Sequence, residues 1–386
     1  MKQIVCLATS PWHPIPTRKQ QVMERLTDFE ILYFDPSVTY IAPFKDGAAK
    51  EKLKAYRQPE ETIRPGLTVC ALPPVLPFFN KYRFINRINQ HKIARYLRKK
   101  MAEHGFETPI LWVYSPVCAD LVDLVPHSAL VYDCVDRHSA YGGLMDPKVV
   151  DEMEADLAGK ADQVFATAQS LADDLKRYNP TAAFIPNGAN FERFLEGSRE
   201  QPCPEDLKAV PHPILGFVGA LQPCIEYGFL ERAAREHPQW SFVFIGGEKP
   251  GANLAPLKAL SNCHFLGIRK NEQLPKYLAQ FDVCLNVFAA GDLSRDVSPL
   301  KFYEYLATGK PIVSTPQPEQ VLNYARLIHV APDAASFSQC CQNALREHDT
   351  DLREARIEAG RASSWDARVE QMRNILEERR IFPPRK

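Results

Sequence analysis

The stretch Ser298-Pro-Leu-Lys-Phe-Tyr-Glu-Tyr-Leu-Ala-Thr-Gly-Lys-Pro-Ile-Val-Ser-Thr315 predicts a helix cap, a short helix, a glycine stop and a buried strand. Ser298 suits the N-cap, and Pro299 suits the first helical position, where its missing N–H would be unpaired anyway. Gly309 permits a left-handed exit, and the run at 311–314 is typical of a buried parallel strand. The stretch therefore predicts one repeat of a parallel α/β domain.

The start of this helix also predicts a binding site. A helix N-terminus offers free backbone donors and a positive dipole end to an anion. Lys301 lies in the first turn and Glu304 follows on the same side, so we expect an exposed cation beside an exposed carboxylate. The pair suits a ligand that carries both phosphate and sugar hydroxyls.

These residues resemble the nucleotide-sugar signature of GT-B glycosyltransferases, in which a helix glutamate binds the nucleotide ribose. The pattern Pro-x-Lys-x-x-Glu-Tyr-Leu-Ala-x-Gly-Lys-Pro is similar to that of family 4-like enzymes of bacterial surface-polysaccharide synthesis, of the teichuronic-acid type. Further matches extend from the N-terminus to the final helix. The resemblance implies two Rossmann-like domains facing across a cleft.

Short apolar runs alternate with amphipathic stretches along the whole chain, which is the pattern of parallel α/β domains. One series of candidate strands spans residues 4–185 and a second spans 214–330, separated by a charged, proline-rich linker at 190–213. We predict an acceptor-binding domain at 1–195, a nucleotide-sugar domain at 196–362 and a helix at 363–386. By resemblance, that last helix crosses back to the N-terminal domain.

Composition excludes several classes of protein. The 386 residues carry no net charge, which argues against a general nucleic-acid binder. None of the ten cysteines forms a Cys-x-x-Cys pair, so we expect buried reduced thiols. With no signal peptide and no apolar run of about 20 residues, we expect a cytoplasmic protein, possibly at the inner face of the membrane. Asp349 and Asp351 are interpreted as helix-capping residues, and no metal or cofactor is expected beyond the donor substrate.

The predicted donor site extends beyond the signature helix. Gly219 and Gly246 follow two strands of the second series, and each allows close backbone approach or simply a turn. Many relatives hold the diphosphate with an Arg and a Lys in the loop that here reads Gln222-Pro-Cys224. Phosphate binding is therefore assigned to Lys301, the helix dipole and Arg295. The complete set of predicted donor-binding residues is Gly219, Gly246, Arg295, Ser298, Pro299, Leu300, Lys301 and Glu304.

Two further loops complete the predicted donor side. In retaining relatives a glutamate eight positions before the ribose glutamate faces the donor sugar. Here that position holds Asp296, which is one methylene shorter, and a solvated loop acid is an equal alternative. By resemblance, the loop at Ile268 or Arg269 contacts the nucleotide base through its backbone.

Catalytic candidates come from both halves of the chain. A strand near 131 opens into a loop that carries Asp133, Asp136 and His138, and an inverting transfer needs a general base beside the acceptor. Asp136 is preferred to His138, with helix capping as the alternative for both, and a retaining enzyme needs no such base. Lys301 is the third candidate, as the cation at the leaving diphosphate. By resemblance Arg18 is expected to face the cleft, with a purely structural proline-stiffened turn as the alternative, and Gly188 is expected to make the turn at the hinge.

Residues 77–101 contain eight Lys or Arg residues and no acid, interleaved with aromatic and aliphatic residues. Such an element can lie on an anionic membrane surface, where each basic residue contributes about 1 kcal/mol. A domain helix with a solvated basic face is the competing interpretation.

We therefore predict a metal-independent glycosyltransferase that moves a sugar from a nucleoside-diphosphate sugar to a saccharide or lipid-linked acceptor. Cell-surface polysaccharide or glycolipid synthesis is the expected setting. Three alternatives remain open: a non-hydrolysing nucleotide-sugar epimerase, a non-catalytic scaffold of a polysaccharide assembly, and a two-lobed small-ligand binding protein. Donor sugar, acceptor and stereochemistry are left undetermined by the sequence.

Overall fold

The computed structural model describes residues 2–14, 16–42, 53–140, 143, 145–199 and 201–384. The chain divides into two compact units. Unit 1 comprises residues 1–186 and 369–386, and unit 2 comprises residues 187–368. The sequence analysis placed the boundary after residue 195, whereas residues 187–195 pack within unit 2.

Unit 1 is built on an eight-stranded sheet in the order β3-β4-β2-β1-β5-β6-β7-β8. β3 is antiparallel to β4, and the other neighbouring pairs are parallel. The strands are β1 (Lys2–Leu7), β2 (Phe29–Asp35), β3 (Glu61–Arg64), β4 (Leu67–Ala71), β5 (Ile110–Val113), β6 (Ala129–Cys134), β7 (Gln163–Ala166) and β8 (Ala183–Phe184).

Helices cover both faces of this sheet, and two hydrophobic clusters fill the layers between. α3 shows why such a helix starts where it does: the Asp146 side chain accepts from the Lys148 N–H, and Pro147 occupies the first turn. The helices are α1 (Arg18–Arg25), α2 (Arg83–Glu103), α3 (Pro147–Lys160) and α4 (Gln169–Leu175).

Unit 2 contains a six-stranded, wholly parallel sheet in the order β11-β10-β9-β12-β13-β14. The strand order reverses between β9 and β12, and in such sheets ligands bind beyond the carboxyl ends at that position. The strands are β9 (Ile214–Val218), β10 (Ser241–Ile245), β11 (Cys263–Gly267), β12 (Val283–Asn286), β13 (Ile312–Ser314) and β14 (His329–Val330).

The helices of unit 2 are α5 (Phe191–Gly197), α6 (Tyr227–Glu236), α7 (Ala255–Lys258), α8 (Leu274–Gln280), α9 (Asp292–Arg295), α10 (Leu300–Thr308), α11 (Ala334–Leu345), α12 (Thr350–Ala362) and the start of α13 (Trp365–Glu378). Asp349 caps α12 by accepting from the Leu352 N–H at 2.9 Å, which confirms its predicted capping role. Gly309 ends α10 with φ of 70°, as predicted.

The predicted linker at 190–213 is wrong over its first part. Phe191, Phe194 and Leu195 on α5 are buried in the core of unit 2, so this stretch is a packed helix. Its short length and high charge concealed the periodicity. The antiparallel strand β3 was also missed, because its residues are half-exposed and carry no continuous apolar run.

α13 begins in unit 2 and continues into unit 1 from Val369. Within unit 1, Met372 and Leu376 pack in the same hydrophobic cluster as β1 and β2, and Phe382 lies 4.4 Å from Phe29 between ring centroids. Arg373 forms an ion pair with Asp28. The final segment is therefore an integral part of the unit 1 core.

Among the described residues, the structure contains no helix with the length and apolar character that crossing a membrane requires.

Candidate active site

At the carboxyl ends of β9, β10 and β11, backbone hydrogen bonds link the strands, and glycines leave the edge without side chains. The Gly219 N–H donates to Ile245 O at 2.8 Å, and the Gly246 N–H donates to Gly267 O at 2.9 Å. Gly219 and Gly246 have φ of 134° and 155°, and a Cβ on Gly246 would lie 1.9 Å from Gly219 O. Glycine is required at position 246, and this edge of the sheet presents bare backbone to a ligand.

Lys301 lies at the point where the strand order reverses. Its Nζ is 3.5 Å from the ring centroid of Phe217 on β9 and 4.6 Å from that of Phe288, which follows β12. A Cβ on Gly219 would be 3.6 Å from the same Nζ. The side chain is only 8% exposed, so the expectation of an exposed cation is wrong. The residue packs its stem on two aromatic rings and keeps its amine at the glycine-lined edge.

Burial changes the acid–base behaviour of the Lys301–Glu304 pair. Burial lowers the pKa of Lys301 to about 7, against the opposing influence of Cys224 and Glu304. Burial raises the pKa of Glu304 to about 7, against Lys301 and Arg193. The expectation of an exposed Glu304 is likewise wrong, since the residue is partly buried. Two strongly shifted groups one helical turn apart in a strand-end site are typical of a functional site.

The helix start differs from its prediction by one position. Leu300 is the first helical residue and Pro299 is the N-cap, so Ser298 does not cap the helix. The Ser298 hydroxyl instead accepts from the Asn187 N–H at 3.0 Å, and Ser298 O accepts from Asn187 Nδ2 at 2.8 Å. Ser298 therefore fixes the approach to the helix through Asn187.

Arg295 and Asp296 lie immediately before this approach. Arg295 ends α9 and is partly exposed, with its Nε 3.4 Å from Asp296 Oδ1. Asp296 is 3% exposed, which rules out the alternative of a solvated loop acid. A buried carboxylate beside a cation at this edge keeps a sugar-facing role open.

Three residues of the donor edge escaped the sequence analysis or were underrated by it. After burial, Cys224 has the largest influence on the pKa of Lys301, although its loop was noted only for lacking basic residues. Arg193 acts on Glu304 from α5, the stretch interpreted as a linker. Ile268 is 73% exposed beside Gly247. The sequence showed the isoleucine directly after Gly267, but its exposure became visible only in the structure.

The loop after β6 holds the catalytic candidates of unit 1. His138 lies in a single 3-10 turn with its Nδ1 3.8 Å from Glu154 Oε1, and Asp136 accepts the Cys134 thiol through its backbone O at 3.4 Å. Burial alone would raise the pKa of Glu154, but His138 and Tyr132 lower it. Asp136 and His138 therefore occupy the same strand-end loop, and Glu154 was the unrecognised partner.

Cys134, His138 and Glu154 are the one group among the described residues whose side chains are close enough to hold a metal, with ligand atoms within 4.8 Å of one another. Burial raises the pKa of Cys134 well above its usual value. The protonated thiol donates to Asp136 O and approaches Glu154 Oε1 at 3.6 Å. The Cys134 thiol is therefore engaged in hydrogen bonds within the protein.

Arg18 and Asp133 form a buried ion pair. Contrary to expectation, neither side chain is therefore available to a ligand. Arg18 Nε donates to Asp133 Oδ2 at 2.9 Å, and Nη1 donates to Ile185 O at 2.9 Å. Both side chains are at most 2% exposed. The guanidinium of Arg18 thus holds a buried carboxylate and a carbonyl at the end of a strand, and its role is to stabilise the fold. The neighbour Lys19 was missed: burial lowers its pKa and Asp136 opposes this change.

Gly188 is a glycine for a reason other than the predicted turn. A Cβ there would lie 2.7 Å from Ser363 O, and the adjacent Ala189 N–H donates to the same carbonyl at 3.1 Å. Close approach of two backbone segments, rather than a left-handed turn, excludes a side chain.

Comparison with known proteins matches this site to a defined class. Residues 212–347 match the family model described as Glycosyl transferases group 1. That segment contains β9 to β14 and every predicted donor-binding residue. The solved structures that superpose on the whole chain have the GT-B fold, which confirms the predicted fold. The family match, together with the curated relative described next, confirms the predicted glycosyltransferase activity.

Individual relatives cover the full length. The chain is 22% identical to a protein of Bacillus subtilis (strain 168) named as a teichuronic acid biosynthesis glycosyltransferase, TuaH, over 95% of both chains. Sucrose-phosphate synthase from Thermosynechococcus elongatus superposes with a TM-score of 0.69 at 15% identity, over 98% of this chain and 99% of that one. HepE of Anabaena, solved with UDP and glucose, superposes with a TM-score of 0.64 at 14% identity, over 98% and 100%. The epimerase and scaffold alternatives receive no support from these matches.

Proposed function

We propose that unit 2 binds a nucleoside-diphosphate sugar at the carboxyl ends of β9 and β12 and that its sugar is transferred to an acceptor bound by unit 1. The observation that carries this proposal is the Lys301–Glu304 pair beside the bare backbone of Gly219 and Gly246. A cation, a carboxylate and a glycine-lined edge match the phosphates, the ribose hydroxyls and the close packing of a nucleotide. HepE, which shares the fold, was solved with UDP and glucose.

Different residues of the donor edge bind different parts of the nucleotide. Lys301 and the N-terminus of α10 hold the diphosphate, Glu304 accepts hydrogen bonds from the ribose, and exposed Ile268 packs against the base. When the sugar leaves, charge develops on the diphosphate. The protonated amine of Lys301 then stabilises the departing group more than the intact donor. In this scheme the chain supplies the electrostatic stabilisation with its own residues, and no cofactor takes part.

Asp136 and His138 act on the acceptor side. In an inverting transfer Asp136 removes the proton from the attacking hydroxyl. In a retaining transfer the same residues orient that hydroxyl without removing its proton. The anomeric configuration of the product, read by NMR, distinguishes the two, and an Asp136→Asn variant with unchanged turnover would remove the catalytic assignment in either case.

The acceptor belongs to cell-surface polysaccharide or glycolipid synthesis, in line with the name of the Bacillus relative. The protein works in the cytoplasm at the inner face of the membrane, which it contacts through 77–101. On α2, Phe84 and Ile88 are 62% and 56% exposed, and Arg87 and Arg95 lie exposed beside them. Arg83, Arg87, Lys99 and Lys100 are engaged in ion pairs with neighbouring acids, so the attraction to anionic lipid comes from the other basic residues, such as Arg95 and Arg98.

Donor binding is tested by a thermal-shift screen of nucleoside diphosphates, followed by Glu304→Ala on the best ligand. Loss of a charged hydrogen bond weakens affinity by about 1.5–3 kcal/mol. Glu358→Ala, which removes an exposed carboxylate on α12, is the matched control and leaves affinity unchanged. Equal affinity in wild type and Glu304→Ala would remove the ribose assignment.

Catalysis is tested by nucleotide release. A transferase releases nucleoside diphosphate only when an acceptor is present, whereas an epimerase interconverts the donor alone and a scaffold consumes nothing. Consumption of donor without acceptor, with recovery of an isomeric nucleotide sugar, would overturn the proposal.

Membrane contact is tested by co-sedimentation with vesicles of anionic or neutral lipid. Wild type is expected to bind anionic vesicles, with binding reduced by Phe84→Ser combined with Ile88→Ser. Tyr178→Ser removes an equally exposed aromatic elsewhere on unit 1 and serves as the control. Equal sedimentation of all three proteins would contradict the assignment to α2.

A further inference from the structure

A cavity of about 240 Å³ opens at the carboxyl ends of β1, β2, β4 and β5 in unit 1. The order of the parallel strands reverses between β1 and β5, because β2 and β4 lie on one side of β1 and β5 to β8 on the other. The cavity therefore lies where ligands bind in open α/β sheets. It is separate from the donor edge, which belongs to unit 2.

The lining of the cavity is uncharged and mostly apolar, and its polar members are Thr9, Ser37, Asn80, Asn89, Gln90 and Ser115. Its larger side chains are Leu72, Val75, Phe79, Ile93, Val117 and Leu121, and no Asp, Glu, Lys or Arg is among the described residues that line it. The polar side chains contributed by α2 are already engaged. Asn89 bonds both the N–H and the carbonyl of Leu76, at 2.9 and 3.0 Å, and Gln90 donates to Asn86.

One polar atom in the lining stands apart. Ser37 Oγ is buried and has no hydrogen-bond partner in the part of the chain that the structure describes. Since the larger side chains of the lining are apolar and the amides of Asn89 and Gln90 are already engaged, the cavity suits an apolar group better than water, which needs two to four polar partners.

The size and shape of the cavity favour a chain. A dry cavity of about 150 Å³ holds a benzene ring, so this one accepts a longer hydrocarbon. Val75 and Phe79 line it, and Leu76 and Phe78 between them are 41% and 38% exposed. Apolar side chains therefore continue from the cavity to the surface, on the segment that leads into α2.

We propose that this cavity binds the hydrocarbon chain of a lipid-linked acceptor, with the chain entering past Leu76 and Phe78. The proposal rests on the acceptor role given above to unit 1. β5, which borders the cavity, pairs with β6, whose carboxyl end carries Asp136 and His138. A chain held in the cavity places the polar head of the acceptor near that loop.

Binding of n-alkyl β-D-glucosides of increasing chain length, each below its micelle concentration, tests the proposal by calorimetry on the full chain. Affinity is expected to rise up to about fourfold per methylene, which corresponds to about 0.8 kcal/mol, and then to level off when the cavity is full. Ser37→Leu puts an apolar side chain into the cavity and abolishes the chain-length dependence. Ser128→Leu, at an exposed position at the opposite edge of the same sheet, leaves it intact.

Two results would overturn the inference: affinity that does not depend on chain length, or a dependence that persists in Ser37→Leu. Val117→Phe, at a partly exposed lining position, provides a second filled variant should Ser37→Leu not fold. UDP binding measured on the same samples separates the two claims. If the wild type does not bind UDP, the donor assignment is wrong, and the chain-length result is then judged independently.

Discussion

The two sheets reverse their strand order in the same way but present different chemistry at that point. In unit 2 the strand ends carry Gly219 and Gly246, and the nearest side chains are a cation and a carboxylate with shifted pKa values. In unit 1 the corresponding ends carry side chains, and those of Leu72, Val75 and Ile93 line an uncharged cavity. The topology sets where a ligand binds, and the residues after each strand set which half of the reaction it serves.

Lys301→Met provides the strongest test of this contrast. Methionine keeps the packing on Phe217 but removes the charge that stabilises the leaving diphosphate, so turnover is expected to fall by about 10²–10³. Steady-state kinetics with saturating donor measure the loss, and the affinity of unit 1 for alkyl glucosides remains at the wild-type value. A rise in KM with unchanged kcat would mean that Lys301 contributes only binding that is equal in the ground state and the transition state.

Gly246→Ala tests whether the donor edge depends on bare backbone. The new Cβ would lie 1.9 Å from Gly219 O at a φ that L-residues rarely adopt, so β10 or its neighbour must shift. We expect the free energy of unfolding to fall by roughly 2–3 kcal/mol, together with nucleotide affinity. Chemical denaturation measures the first quantity and calorimetry the second.

Gly159→Ala in α3 is the control for that substitution, because nothing lies within 4 Å of its added Cβ. Removing a helical glycine is expected to stabilise the protein by about 0.5–1 kcal/mol. Similar denaturation curves for the two variants would show that position 246 tolerates a side chain, contrary to the geometry.

The donor edge of unit 2 and the cavity of unit 1 also differ in how well the sequence predicts them. Part of the donor edge is contiguous in the chain: Lys301, Glu304 and Gly309 belong to one helix and its end, so the motif and its family resemblance revealed them. The unit 1 cavity combines residues that follow four separate strands, and apolar residues there look like ordinary core. Burial was the second quantity missed, since nothing in the sequence showed that Phe217 and Phe288 enclose the Lys301 amine.

Nucleotide binding by unit 2 and alkyl glucoside binding by unit 1 should differ in their dependence on pH. Above pH 7 the empty site loses the Lys301 proton, and below pH 7 Glu304 gains one, because burial brings both pKa values to about 7. Nucleotide affinity should therefore peak near pH 7 and fall by up to tenfold per pH unit on each side. Binding of an alkyl glucoside to the uncharged cavity should be flat over the same range.

The variants assign each limb of that profile. Lys301→Met removes the alkaline fall and Glu304→Gln removes the acid fall, and taking differences from wild type cancels the titration of the nucleotide itself. A profile that keeps both limbs in both variants would contradict the assignment to this pair.

The smallest expected effect concerns Arg193, the residue hidden in the supposed linker. Its exposed guanidinium opposes the rise in the pKa of Glu304, so Arg193→Ala should raise that pKa further and leave less carboxylate for the ribose. Because exposed charges interact by only about 0.2–1 kcal/mol, nucleotide affinity at pH 6.5 should weaken roughly twofold. At pH 8.5 the carboxyl group is ionised in both proteins and the difference should vanish. Arg199→Ala removes an exposed charge just beyond α5 and should have no effect at either pH. An equal loss at both pH values would mean that Arg193 contacts the nucleotide directly, which would make α5 part of the donor site rather than a modulator of Glu304.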